Sequence, residues 1–153
     1  THHLLDLNLD FLSEMEHVIL TREPVAMIQS FSKVIESPKA NDLGYEDHLK
    51  LIETFKERNV LFHVVDSKDI LDRPEQRLGD LCQAVGIPFS KAMLHWPKGA
   101  RKEDGIWAKH WYHSVHESDS FQKPMKKQES EPRESLKELI KNSQLLYQQI
   151  IKS

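Results

Sequence analysis

The chain is 153 residues long, 39% hydrophobic and 29% charged, with 24 acidic against 21 basic side chains for a formal net charge of −3. That length fits one domain burying roughly 70% of the surface its unfolded chain exposes. The near-balance of charge argues against general nucleic-acid binding but leaves room for a local anion site. The only cysteine, Cys82, excludes an intrachain disulfide and points to a reducing, cytoplasmic compartment. No apolar run approaches the roughly 20 residues that span a bilayer. The opening Thr1-His2-His3 is abrupt and reads as the start of a fragment of something longer.

In chain order, His17–Thr21 reads as a short buried strand, and Pro24 then fits the first turn of a helix, where its missing N–H costs nothing. That helix is expected to run to about Glu36, where Ser37-Pro38 stops it. Asn41 to Gly44 reads as a loop. Tyr45 to Arg58 carries Leu49, Ile52 and Phe55 at helical spacing, and Asn59 ends the pattern. "VLFHVV", Val60–Val65, is β-branched and continuous, the habit of a parallel strand buried on both faces. "DRPEQRLGDLCQAVG" predicts a helix with Pro74 near its start, Gly86 past its end and Cys82 on its core side. Strand, helix, strand, helix implies right-handed crossovers and an α/β layered fold with both strands parallel in one sheet.

Past Gly86 the texture changes. Trp96, Trp107 and Trp111 all fall in a cation-rich stretch that reads as a long ordered loop with short helices. Residues 122–134 are polar and read as a linker or lid. Residues 135–153 predict an amphipathic helix packing on the domain, with Ser135 and Glu138 spaced for a capping box. The main α/β domain is thus expected over residues 1–121.

The candidate chemistry begins with Arg22, directly after a strand and just before a helix. Ligands of open α/β sheets sit beyond the carboxyl ends of strands, and helix N-termini favour anions. Ser30, in the following helix, is placed to share such an anion. The bland alternative is an arginine paired with a carboxylate and a serine that the helix merely tolerates. His110, His113 and His116 recur every three residues, so each adjacent pair shares a helical face but the outer two lie about 120° apart. No cysteine or convergent carboxylate set completes a metal site there, and none is expected.

"LTREPVAMIQSFSKV", with Arg22, Pro24 and Ser30, resembles the second signature of the 3′-phosphoadenosine-5′-phosphosulfate (PAPS)-dependent sulfotransferases. In that family the arginine and the serine hold the nucleotide's 3′-phosphate. "VVDSKDILDRPEQRLGDLCQAVGIPF" resembles the next family section, and "GARKEDGIWAKHWY" looks like the late loop that closes on the same phosphate. In that loop the resemblance marks Arg101, Lys102 and Trp107. If Gly105-Ile106-Trp107 lies on the family's Gly-Asp-Trp, the two cations stand one position late and no glycine follows them, so either could be the phosphate contact. The Thr1-His2 pair is similar to the family's Thr-His, making His2 the first candidate general base and His3 the second.

The resemblance covers roughly residues 1–121. It implies a parallel-sheet, P-loop/sulfotransferase-like three-layer α/β fold. It also implies PAPS as co-substrate, 3′,5′-adenosine bisphosphate as its product, and a small-molecule hydroxyl or amine as acceptor. The family's glycine-rich phosphosulfate loop does not occur among the five glycines of this chain. The expectation is therefore an N-terminally truncated fold that transfers little sulfate by itself. No nucleic-acid or membrane partner is expected, and a homodimer stays open. A non-catalytic nucleotide-binding or protein-interaction module on the same framework is the alternative.

Overall fold

A β-branched run with a proline three residues past its end is solved by a strand that hands over to a helix, and the protein does this at residues 17–31. The structure, a computed structural model, describes residues 9–32, 34–106, 108–122 and 133–153. Strand β1 (His17–Thr21) leads into helix α1 (Pro24–Phe31), with Pro24 at its first position. After α2 (Ala40–Leu43) and α3 (Tyr45–Glu57), strand β2 (Phe62–Asp66) returns beside β1. The two strands are parallel, in register from His17↔Phe62 to Thr21↔Asp66, as the sequence reading expected. The sheet holds these two strands among the described residues.

The differences from expectation have local causes. Strand β2 starts at Phe62 rather than Val60, because the Val60 N–H donates to the Phe55 carbonyl at 2.8 Å and closes the end of α3. Asn59 makes that closure with φ of 53°, a left-handed conformation that Asn tolerates better than most residues. Helix α1 stops not near Glu36 but at Phe31, where the Val34 N–H closes a tighter, three-residue turn on the Phe31 carbonyl at 2.9 Å. The stretch read as a loop at residues 41–44 is mostly the short helix α2. Gly44, with φ of 73°, is both its end and the start of α3.

β2 runs on into α4 (Ser67–Asp72), a helix the sequence reading did not include, and then α5 (Pro74–Ala84). Short helices α6 (Ala108–Trp111) and α7 (His113–His116) follow. Helix α8 (Lys137–Ile151) ends the chain. The capping box expected from Ser135 and Glu138 does not form. Ser135 sits inside a 3-10 turn, Glu134–Leu136, so Leu136 becomes the cap position and supplies no side-chain bond.

The chain divides into two compact units, Thr1–Lys68 with Glu129–Ser153, and Asp69–Gln128. In the first, α8 packs on α1, α3 and β2. Its core joins Ile19 of β1, Ile28 of α1, Ile52 and Phe55 of α3, and Tyr147 and Ile150 of α8. Each such aliphatic or aromatic side chain contributes about 1.5–3 kcal/mol when fully buried. Strand β1 is not buried on both faces. Ile19 and Thr21 are 4% and 1% exposed, whereas Val18 and Leu20 are 43% and 57% exposed, the alternation of a strand with one covered face. Strand β2, expected to be buried on both faces, is instead half-buried throughout, because β1 is its one sheet neighbour among the described residues.

In the second unit Cys82 is buried, as its helical position implied. Gly86, with φ of 72°, ends α5 while the Ile87 N–H returns to the Cys82 carbonyl at 2.9 Å. The tryptophan-bearing loop is ordered by local pairing. His95 bridges to Ser120, the Trp96 indole N–H donates to Ser118 at 3.2 Å, and the Trp96 ring meets Phe121 edge-on.

Candidate functional site

At the carboxyl end of the two-stranded ladder four side chains come together: Arg22, Tyr45, Asp66 and Tyr147. Thr21 and Asp66 are the last paired residues, so Arg22 is the first residue beyond the sheet. Its carbonyl, which has no ladder partner, accepts from the Tyr45 hydroxyl at 2.6 Å. On the neighbouring strand, Asp66 Oδ1 accepts from the Lys68 N–H at 2.7 Å and thereby caps the start of α4, while Oδ2 accepts from the Tyr147 hydroxyl. The Tyr45 and Tyr147 rings meet edge to face at 6.5 Å. Burial, foremost, and then the charge of Glu23 push the Tyr45 hydroxyl's pKa well above the ordinary tyrosine value, so it remains a proton donor.

The Arg22 side chain is half-buried, and no carboxylate among the described residues ion-pairs with its guanidinium. The bland alternative of a carboxylate-bound arginine is therefore not what the described residues form. Ser30 lies on α1, half-buried, six residues past Pro24 and so about 9 Å along the helix axis. A planar guanidinium and a hydroxyl are donors suited to phosphate oxygens. The N-terminus of α1, which the sequence offers as an anion site, is already partly satisfied within the chain. Pro24 has no N–H, and the Glu23 carboxylate already accepts from the Ala26 N–H at 2.9 Å. An anion beside Arg22 would have to be held by side chains and would face Glu23's like charge.

Arg101 and Lys102 belong to the second unit. Both are exposed. The Arg101 N–H donates to Asp104 Oδ2 at 2.9 Å, and Lys102 pairs with Glu103 at 3.6 Å. Asp104 also pairs with His116 at 2.8 Å. The backbone bond from Arg101 and then the His116 contact hold its carboxyl below the usual aspartate range. His113 lies 3.3 Å from Glu117. His2, His3 and Trp107 lie outside the described residues. Among the described residues, no group of three or more His, Cys, Asp or Glu could hold a metal ion, and no helix is long and apolar enough to cross a membrane. A cavity of about 550 Å³ in the second unit, lined in part by Arg73, His95 and Phe121, contains none of the candidate site residues.

Sequence reasoning missed three buried hydroxyl-bearing residues that support the strand ends around the candidate site. Thr21 had been read only as the last strand residue, Tyr45 as a helix start, and Tyr147 as one more apolar position of the last helix. Each is buried at the strand ends. A hydroxyl-bearing residue at a core position is the signal that could have found them, because a buried hydroxyl needs a partner.

The sulfotransferase domain model matches residues 1–152, and the chain belongs to that family. Two proteins of Arabidopsis thaliana are similar to it. Branched-chain-amino-acid aminotransferase-like protein 1 is 36% identical over 123 residues, and branched-chain-amino-acid aminotransferase-like protein 2 is 33% identical over 123 residues. In both cases the match covers 80% of this chain and 22% of the relative, so the chain spans about a fifth of each relative's length. No solved structure matches.

Proposed function

We propose that this chain holds the 3′-phosphoadenosine half of PAPS and serves sulfuryl transfer to a hydroxyl or amine acceptor. The observation that carries this reading is Arg22 at the carboxyl end of a parallel strand, its guanidinium without an ion-pair partner among the described residues, in a chain whose family is sulfotransferase. When bound, PAPS supplies an activated sulfuryl group whose bond to the 5′-phosphate breaks as the acceptor's oxygen or nitrogen attacks sulfur. Arg22 would neutralise the 3′-phosphate, with Ser30 donating a hydroxyl bond to it. Arg101, Lys102 and Trp107, of the late loop, are the further nucleotide contacts that the family resemblance offers. His2, or failing it His3, would take the acceptor's proton. The chain's own glycines form no phosphosulfate cradle, so the reading for this chain by itself is nucleotide binding with little turnover. The aminotransferase-like names of the relatives describe proteins of which this chain spans 22%, and they bring no second reading.

The test is Arg22→Ala. Removing a charge-assisted contact of about 1.5–3 kcal/mol should weaken 3′,5′-adenosine bisphosphate by roughly tenfold or more. An unchanged affinity would remove Arg22 from the site.

A further inference from the structure

We propose that Tyr45 is a positioning residue for Arg22: its hydroxyl, donating to the Arg22 carbonyl, fixes the backbone from which the guanidinium meets the 3′-phosphate. The inference rests on the nucleotide reading above. It goes beyond that reading by assigning a role to a side chain that does not touch the ligand.

The geometry supports the assignment at each step. The β1–β2 ladder ends at Thr21↔Asp66, so nothing in the sheet constrains Arg22. The residue after it, Glu23, is committed to capping α1. Arg22 is thus the one joint between a strand and a helix, and its carbonyl is tied by a group 23 residues away in sequence. Tyr45 is 2% exposed, and its ring packs in the core cluster with Ile28, Ile52 and Tyr147, so its hydroxyl is delivered from a fixed body. Gly44, with φ of 73°, starts α3 and sets the direction in which Tyr45 enters the core. Because burial keeps the phenol protonated, the bond persists across the working pH range. The matching tie, from Tyr147 to Asp66, holds the end of the other strand, β2. The two tyrosines therefore make an internal control: similar burial, similar hydroxyl loss, different strand end.

The experiment compares Tyr45→Phe, Tyr147→Phe, Arg22→Ala and the Tyr45→Phe/Arg22→Ala double variant in the full chain. Folding is checked by circular dichroism. Calorimetry then measures affinity for 3′,5′-adenosine bisphosphate and for 5′-AMP, and their ratio is the 3′-phosphate preference. Tyr45→Phe should lower that preference roughly five- to tenfold while leaving 5′-AMP binding unchanged. Tyr147→Phe should leave the preference in place. The double variant should be no worse than Arg22→Ala, since Tyr45 acts through Arg22. If Tyr45→Phe keeps the wild-type preference while Arg22→Ala loses it, the positioning role is wrong and the nucleotide reading stands. Equal losses in the two tyrosine variants would reduce both to general stability and also overturn it. If Arg22→Ala itself leaves the preference unchanged, the nucleotide reading fails and this inference falls with it.

Discussion

Thr21 and Arg22 are consecutive, and their side chains meet opposite conditions. Arg22 is half-exposed and unpaired, while Thr21 is 1% exposed with a hydroxyl that has no hydrogen-bond partner among the described residues. An unmet buried hydroxyl costs about 1–3 kcal/mol, so Thr21→Val, which keeps the shape and removes the group, should leave thermal stability unchanged or raise it by up to about 1 kcal/mol. A melt in the absence of nucleotide checks this, and a clear loss of stability would show that the hydroxyl has a partner after all. At this scale the sequence was legible where chemistry is unusual. An arginine at the end of an apolar strand stands out on any reading. A tyrosine in a helix does not, because Tyr45 and Tyr147 satisfy the same helical periodicity as a leucine would and disclose their hydroxyl roles only when the strand ends meet them.

Among the elements, the bounds of β1 were readable because two local rules agree there, an apolar, partly β-branched run and a following Pro24, whereas its one-sided burial was not. The ends of β2 and α1 were not, since both depend on backbone bonds, Val60 to Phe55 and Val34 to Phe31, that composition does not encode. Gly44 is the element-scale hinge that positions Tyr45. A side chain at φ of 73° is strained, so Gly44→Ala should destabilise the fold by about 1–2 kcal/mol, read as a lowered denaturant midpoint at unchanged slope. In the second unit, Asp104 pins the loop that carries Arg101. Its pKa is lowered, so its contribution to loop order is present above the ordinary aspartate range and is lost as pH falls through the lowered value. After correction for intrinsic exchange, the Arg101 amide should be protected from hydrogen exchange at neutral pH and lose protection in acid. Asp104→Ala should remove the protection at neutral pH. Exchange that is indifferent to Asp104→Ala would show that the carboxylate does not hold the loop.

For the whole molecule, the parallel α/β reading followed from alternating strands and helices and is what the two strands form. The amphipathic pattern of the last helix pointed to its packing on the α/β domain, but the sequence did not disclose that the chain divides into two units, with α8 in the first of them. That division depends on contacts between residues more than seventy positions apart, such as Tyr147 with Asp66. The family was legible for the opposite reason, since its signatures are short and local, and the domain match runs over residues 1–152. The central claim is that the strand end at Arg22 recognises a 3′-phosphate. The direct measurement is calorimetric titration of the wild-type chain with 3′,5′-adenosine bisphosphate and, separately, with 5′-AMP. The account predicts at least a roughly tenfold tighter affinity for the bisphosphate, the size of one charge-assisted contact, and a preference that weakens as salt is raised. Equal affinity for the two nucleotides would contradict it.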